Sequence, residues 1–330
     1  MSNIEKILLQ LAPDLKKVDQ IILEFAVGKS PLIAEISNHL ISSGGKRIRP
    51  ILLILAAKLC GTKDQKKPQD LAAAVELIHS ATLLHDDVVD TSQVRRGKKT
   101  ANSLWDNKAS ILVGDYLFSI AFQLMVRVKN LEVLGLLAKA SSIMADGEVM
   151  QLENSSDVAL SESKYFEIIF GKTAVLFAAA CESGALVSDA SKAEVAALRE
   201  FGTNLGIIFQ IVDDILDYSS DEKVLGKDVG NDFFEGKVTL PVILLHQKAD
   251  KVEQKFISDT FNKNLLASER AATDFAQFLE LLKKHQGLEA CKNKALQHHK
   301  LAVQNLEIFS DSNFKKDLVA ILDYSLARIF

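Results

Sequence analysis

Aspartates recur in two matched groups, Asp86-Asp87-Val88-Val89-Asp90 and Asp213-Asp214-Ile215-Leu216-Asp217, each inside a long apolar, helix-forming stretch. On an α-helix, residues four apart share a face, one turn above each other. Asp86 therefore projects beside Asp90, and Asp213 beside Asp217. Stacked like charges repel and are costly to desolvate, so a globular helix avoids them unless something positive sits between them. Two such faces opposing each other would gather several carboxylates with few cations of their own. That donor set suits hard divalent ions, Mg²⁺ above all, which take a few carboxylates, keep some waters and give their remaining positions to phosphate oxygens. One such motif reads equally well as a solvated acidic helix end; the matched pair favours the metal.

Basic residues cluster where anions would need them. Gly44-Gly45-Lys46-Arg47-Ile48-Arg49-Pro50 sets two glycines before three cations. Glycine lets backbone N–H groups approach an anion, Lys and Arg heads grip phosphate oxygens, and Pro50 suits the first turn of a following helix. Arg95-Arg96-Gly97-Lys98-Lys99 follows the first aspartate group. Lys172-Thr173 is expected to open a helix, where the positive dipole end and free N–H groups favour phosphate. Gln210 lies three residues before Asp213, on the same face. The glycine-broken stretch over residues 226–237 holds Lys227 and Lys237 and could close over a bound anion. His79, two turns before Asp86, should look into the same space, although a histidine on an apolar helix is as often a packed core residue. No Ser/His/Asp arrangement, nucleophile elbow, Walker loop or dinucleotide loop stands out. The sum favours a substrate with a diphosphate head and a hydrocarbon tail over a nucleotide.

Helices must position these groups. Only 5 prolines occur in 330 residues, apolar positions recur at three and four, and no stretch shows strand-like alternation. The expected fold is all-α: a single-domain bundle of many helices over residues 1–330, around a deep central cavity. Breaks are expected at residues 42–45, 61–69, 91–100, 155–157, 188–192, 219–237 and 248–251. Stretches 72–84 and 173–185 are apolar nearly all round and belong at the centre of a bundle. Beyond about residue 250 the pattern is amphipathic helices without a chemical motif.

Composition narrows the partners. With 39 basic and 43 acidic side chains the formal net charge is −4, which argues against a general nucleic-acid binder. Cys60, Cys181 and Cys291 are scattered without metal or CxxC spacing and read as reduced core residues of a cytoplasmic protein. No uncharged run approaches the roughly 20 residues of a membrane span, and the first residues lack the pattern of a signal or transit peptide.

At these residues the chain closely resembles the trans-prenyl diphosphate synthases of the polyprenyl synthetase family. GGKRIRP, LLHDDVVDTSQVRRG, GKT, FQIVDDILD and GKDVGNDFFEGKVTLP stand in the family's order over nearly the whole chain. The resemblance implies an isoprenoid-synthase bundle, normally a homodimer, that joins an allylic diphosphate to isopentenyl diphosphate with two or three Mg²⁺ ions. By position, Asp86, Asp90 and Asp213 should ligate Mg²⁺, with Asp87, Asp214 and Asp217 assisting directly or through water. Arg95, Lys172, Thr173, Gln210, Lys227 and Lys237 correspond to the allylic diphosphate grip. Gly45, Lys46, Arg49, His79 and Arg96 correspond to the isopentenyl diphosphate site. The groups implied in catalysis are Asp86, Asp90, Arg95, Lys172 and Asp213.

Product length should depend on the helix leading down from Asp86. Short-chain members of the family often place bulky aromatics four and five positions before the first aspartate; here those positions hold Thr82 and Ala81. One and two turns deeper lie Ile78 and Ala74, with Leu77 beside them, and each turn is roughly 5 Å. A long-chain, octaprenyl to decaprenyl product for a quinone side chain is therefore expected, with Phe122 or Met125 as the floor. A farnesyl or geranylgeranyl synthase is the alternative within the class. A terpene cyclase would not need the Lys46/Arg49/Arg96 set, and a non-catalytic subunit would be expected to have degraded aspartate motifs.

Overall fold

In α4 (Lys66–Val89) every side chain of residues 71–78 is buried. A helix covered all round needs neighbours on every face, and α1 (Asn3–Phe25), α3 (Ile48–Leu59) and α6 (Asn107–Arg127) pack against it. Each fully buried Leu, Ile or Val contributes about 1.5–3 kcal/mol of transfer free energy. The expectation for 72–84 thus holds over its first turns, and the aspartates follow where the helix becomes half-buried.

The computed structural model describes residues 3–26, 28–42, 45–95, 97–219, 230–261 and 271–329. Among these, the regular secondary structure is helical apart from one antiparallel pair of two-residue strands, Val94–Arg95 with Lys98–Lys99. That ladder lies in the expected break at 91–100 and is too short for alternation to reveal. Contacts group the chain into two compact units. The first comprises Met1–Ser141, Leu176–Gly202 and Asn305–Ile321; the second comprises Ser142–Val175, Thr203–Gln304 and Leu322–Phe330.

Within the first unit, α2 (Pro31–Ser42) and the short α5 (Ala101–Leu104) also pack on α6. The break at 61–69 is shorter than expected, because α4 already begins at Lys66. Pro68 falls in its first turn, where the missing N–H has no helical partner to lose. Within the second unit, α8 (Glu162–Ile169) runs into a π-helical turn at Phe170–Ala174, followed by α9 (Val175–Leu186). The helix Leu240–Lys248 packs on α8 and on the helices Lys251–Phe261 and Ala271–Lys284. Phe233 is wedged among Phe261, Phe275 and Phe278 at ring separations of 5.0–5.4 Å.

Charge-free runs underestimated the apolar helices. By length and composition Asn107–Arg127, Glu162–Leu186 and Lys192–Asp217 could each cross a membrane, because isolated polar residues interrupt the runs without lowering mean hydropathy much. In Glu162–Leu186, 83% of the apolar window is buried inside the protein.

Candidate active site

The first aspartate group ends α4. Asp90 is the C-cap, Thr91 takes a left-handed φ of 50°, and Thr91 and Ser92 N–H groups donate to the carbonyls of Val88 and Asp87. This is a Schellman closure with threonine at the position usually given to glycine. The loop then folds back: Asn102 Nδ2 donates to the carbonyls of Asp87 and Ser92, and Thr100 Oγ1 to that of Ser92. As a result Arg95 reaches Asp87, its Nε and Nη2 lying 2.9 and 2.8 Å from Oδ1. Asp87 is buried, whereas Asp86 and Asp90 on the neighbouring face are half-exposed.

In the same unit Gly45 and Lys46 are exposed, and the Arg49 guanidinium stacks 4.4 Å from the Phe177 ring centre. Arg47 between them is left-handed, with φ 50°. Its guanidinium is held by Glu76 at 2.5 Å and Asp19 at 3.3 Å, so ion pairs fix the strained turn that presents Lys46. His79 is half-buried, and its carbonyl accepts from Thr82 Oγ1 at 2.8 Å. Ala74, Ile78 and Ala81 are fully buried, Met125 likewise, while Phe122 is half-buried and stacks edge-on against Phe118. Arg96 lies outside the described residues.

The second aspartate group closes α10 (Lys192–Asp217) and lies beside a recess of about 450 Å³, its open mouth included. Lys172, Gln210, Asp214 and Lys237 line this recess together with Tyr165 and Gln151. Lys172 and Thr173 do not open a helix, as the sequence suggested; they sit in the π-turn inside the continuous helical run from Glu162. At the widened turn α7 (Leu131–Glu153) crosses in a glycine–glycine contact. A Cβ on Gly147 would stand 2.5 Å from the Lys172 nitrogen, and one on Gly171 3.0 Å from Gly147 Cα. Such π-bulges recur at functional sites.

From that turn a hydrogen-bond chain runs inward. Thr173 Oγ1 donates to Gln210 Oε1 at 2.9 Å, and Gln210 Nε2 donates to Asp214 Oδ1 at 2.8 Å. Tyr165 donates its hydroxyl to Asp214 Oδ2 at 2.6 Å. Burial pushes the Asp214 carboxyl up to about 7; the hydrogen bonds from Tyr165, Gln210 and the Leu240 backbone oppose the rise. Burial and neighbouring Asp217 and Asp214 raise Asp232 well above the carboxylate range. Asp217 Oδ2 accepts from the Asp232 N–H at 2.9 Å, pinning the short helix Asn231–Phe234. Lys172 Nζ is held by Gln151 at 2.6 Å and Glu148 at 3.2 Å, and Lys237 by Glu235 at 2.7 Å. Lys227 lies outside the described residues.

The structure therefore joins Thr173, Gln210 and Asp214 in one network and Asp87 with Arg95 in another. Sequence reasoning missed Tyr165, Gln151, Glu148 and Arg328, the last of which contacts Asp213 Oδ1 at 2.8 Å. None of the four sits in a recognisable motif. Only Tyr165, seven residues before Lys172, carried a hint of spacing. Among the described residues no three His, Cys, Asp or Glu side chains converge into a ready metal set. Half-exposed pairs of hard carboxylates one turn apart still fit Mg²⁺, provided that phosphate oxygens and water complete its shell.

A polyprenyl synthetase profile matches residues 30–280. The chain belongs to the polyprenyl synthetase family. It is 38% identical to an octaprenyl diphosphate synthase of Haemophilus influenzae over 99% of this chain and 98% of that one. A crystal structure of a decaprenyl diphosphate synthase from Rhodobacter capsulatus matches with a TM-score of 0.94, 42% identity and 99% coverage of both chains. A polyprenyl synthase from Caulobacter crescentus, complexed with calcium and isoprenyl diphosphate, matches with a TM-score of 0.92 and 40% identity over 98% of this chain and 97% of that one. The all-α fold and a prenyltransferase activity follow from family membership.

Proposed function

We propose that this prenyltransferase extends an allylic diphosphate, farnesyl or geranylgeranyl, by repeated addition of isopentenyl diphosphate to a long all-trans product. The observation that carries the reading is the recess lined by Lys172, Gln210 and Lys237, in which a π-turn, a glycine contact and a hydrogen-bond chain all fix polar heads. Asp86, Asp90 and Asp213 would hold Mg²⁺, with Asp87, Asp214 and Asp217 assisting. The bound ions would supply Lewis-acid neutralisation of the diphosphate.

Arg95, Lys172, Thr173, Gln210, Lys227 and Lys237 bind the allylic diphosphate, and their charge favours its departure. The allylic C–O bond then breaks to a delocalised carbocation. Gly45, Lys46, Arg49, His79 and Arg96 orient isopentenyl diphosphate, whose double bond attacks that carbon. A proton leaves to the departed diphosphate, which restores an allylic product and needs no protein base. Apolar walls keep water from quenching the cation. A homodimer in the cytoplasm, serving a quinone pathway and passing its product to a membrane, completes the reading; the three free cysteines suit a reducing compartment.

Ala74, Ile78 and Ala81, with Thr82 bonded back to its own helix, present small or aliphatic groups below Asp86, which supports a long product. Phe122 and Met125 are the proposed floor. The test is product sizing with Mg²⁺, farnesyl diphosphate and labelled isopentenyl diphosphate. Products are expected to end at about eight to ten prenyl units, and Ala81→Phe to shorten them, since each blocked turn removes roughly 5 Å of depth. Products stopping at about three or four units in the unaltered protein would overturn the length assignment, measured on the same 5 Å scale.

A further inference from the structure

Arg328 lies in the short 3₁₀ turn Ala327–Ile329 and bonds the first carboxylate of the second aspartate group. Its guanidinium carbon also stands 5.4 Å from the centre of the Phe209 ring. Phe209 and Asp213 are one turn apart on α10, so a single side chain spans that turn from outside. The Arg328 side chain is 26% exposed and that of Asp213 41%, so water shares the contact and separation is inexpensive. Lys172 with Glu148 and Lys237 with Glu235 show the same economy in this unit. Among the described residues, both lysines that line the recess are paired with a carboxylate of the protein itself.

We propose that Arg328 is a placeholder cation for Asp213: it holds the carboxylate in position and is displaced when a divalent ion arrives with a diphosphate. The proposal rests on the reading of Asp213 as a metal ligand. A guanidinium stays charged at any working pH, so it competes with the ion by charge alone, without a proton to release. The two cannot share one lone pair, because Mg²⁺ takes carboxylate oxygens at about 2.0–2.1 Å. Arg328 is thus a positioning residue whose removal should help the metal and harm the metal-free protein. A merely structural arginine would do only the second.

The test is calorimetric titration of Mg²⁺ into the full chain with saturating inorganic diphosphate. Arg328→Gln should tighten apparent Mg²⁺ affinity about three- to fivefold, the scale of a half-exposed ion pair. Arg328→Lys keeps the charge and should stay near the unaltered protein. In chelator, Arg328→Gln should lower the Tm, and the loss should vanish in an Asp213→Asn background if the pair itself is responsible. Unchanged or weaker Mg²⁺ affinity in Arg328→Gln overturns the placeholder, as does equal tightening by Lys and Gln. If the unaltered protein takes up no Mg²⁺ with diphosphate, the metal reading of Asp213 fails and the placeholder falls with it. Uptake without tightening removes the placeholder alone.

Discussion

Asp87 and Asp214 hold the same place in their motifs and are equally withdrawn from water, 2% and 1% exposed, yet their partners differ in charge. Asp87 faces a guanidinium, with Arg95 placing two nitrogens on one oxygen. Asp214 faces neutral donors, a phenol on one oxygen, an amide on the other, and the Leu240 backbone N–H. The same five-residue spelling therefore builds two environments. In the first, a buried charge is balanced by a cation that also belongs to the proposed diphosphate grip. In the second, the carboxyl is pushed up to about 7, and it orients Gln210 so that the amide oxygen meets Thr173. In both groups the outer aspartates Asp86, Asp90, Asp213 and Asp217 stay half-exposed. A matched motif specifies which carboxylates can meet a ligand, while the inner member adapts to its own helix neighbours.

The outer residues should give the largest effect. Asp86→Ala or Asp213→Ala should lower kcat by about a hundredfold or more, the scale of lost electrostatic stabilisation at a reacting centre. Near-normal turnover in either would break the symmetry between the motifs. Next come the inner residues. Asp87→Asn leaves the Arg95 charge without its partner and should cost about 1–3 kcal/mol, held below the fully buried case by partial solvation of Arg95. Asp214→Asn can rebuild its network by turning over the Gln210 amide and should cost about 1 kcal/mol or less. Denaturant titrations compare the two, and equal losses would show that partner charge does not matter here.

A smaller difference appears with pH in chelator. The folded Asp214 carboxyl is raised to about 7, above an unfolded value near 4. A raised acid contributes stability that is complete below about pH 4 and disappears as pH climbs through about 7. The Tm advantage of the unaltered protein over Asp214→Asn should therefore shrink across that window. A difference that stays constant would mean that Asp214 ionises freely in the folded protein.

Local spacing made much of this legible. The four-residue offset of Asp86 and Asp90 reads directly as a shared helical face, and the unbroken apolar run before them reads as a covered helix. What escaped depends on contacts between distant segments. By sequence Lys172-Thr173 is expected to open a helix, yet Gly171 before it serves a close crossing with Gly147, and the helix continues through a π-turn. Arg47 resembles its cationic neighbours until Glu76 and Asp19 are seen to hold it. Arg328 has no motif at all, since only the fold brings it to Asp213.

Tyr165→Phe is the finest probe of the comparison and has the smallest expected effect. Phenylalanine keeps the packing and deletes one donor, leaving Asp214 Oδ2 short of the 2.6 Å bond it accepts. A fully charged buried carboxylate would pay heavily for that loss, by about 1–3 kcal/mol. Asp214 has an outlet, because a carboxyl already raised to about 7 can take up a proton. The expected cost is therefore at the low end, about 1 kcal/mol. Gln210 still donates to Oδ1, so its amide keeps the orientation that serves Thr173. Turnover should then fall by no more than about threefold, the kinetic scale of under 1 kcal/mol. Arg95→Gln, the corresponding deletion at the first motif, removes both the partner of Asp87 and a proposed diphosphate contact, and should do more. If Tyr165→Phe cost as much turnover as Arg95→Gln, the phenol would be acting on the substrate, and the neutral network would be part of the chemistry rather than its support.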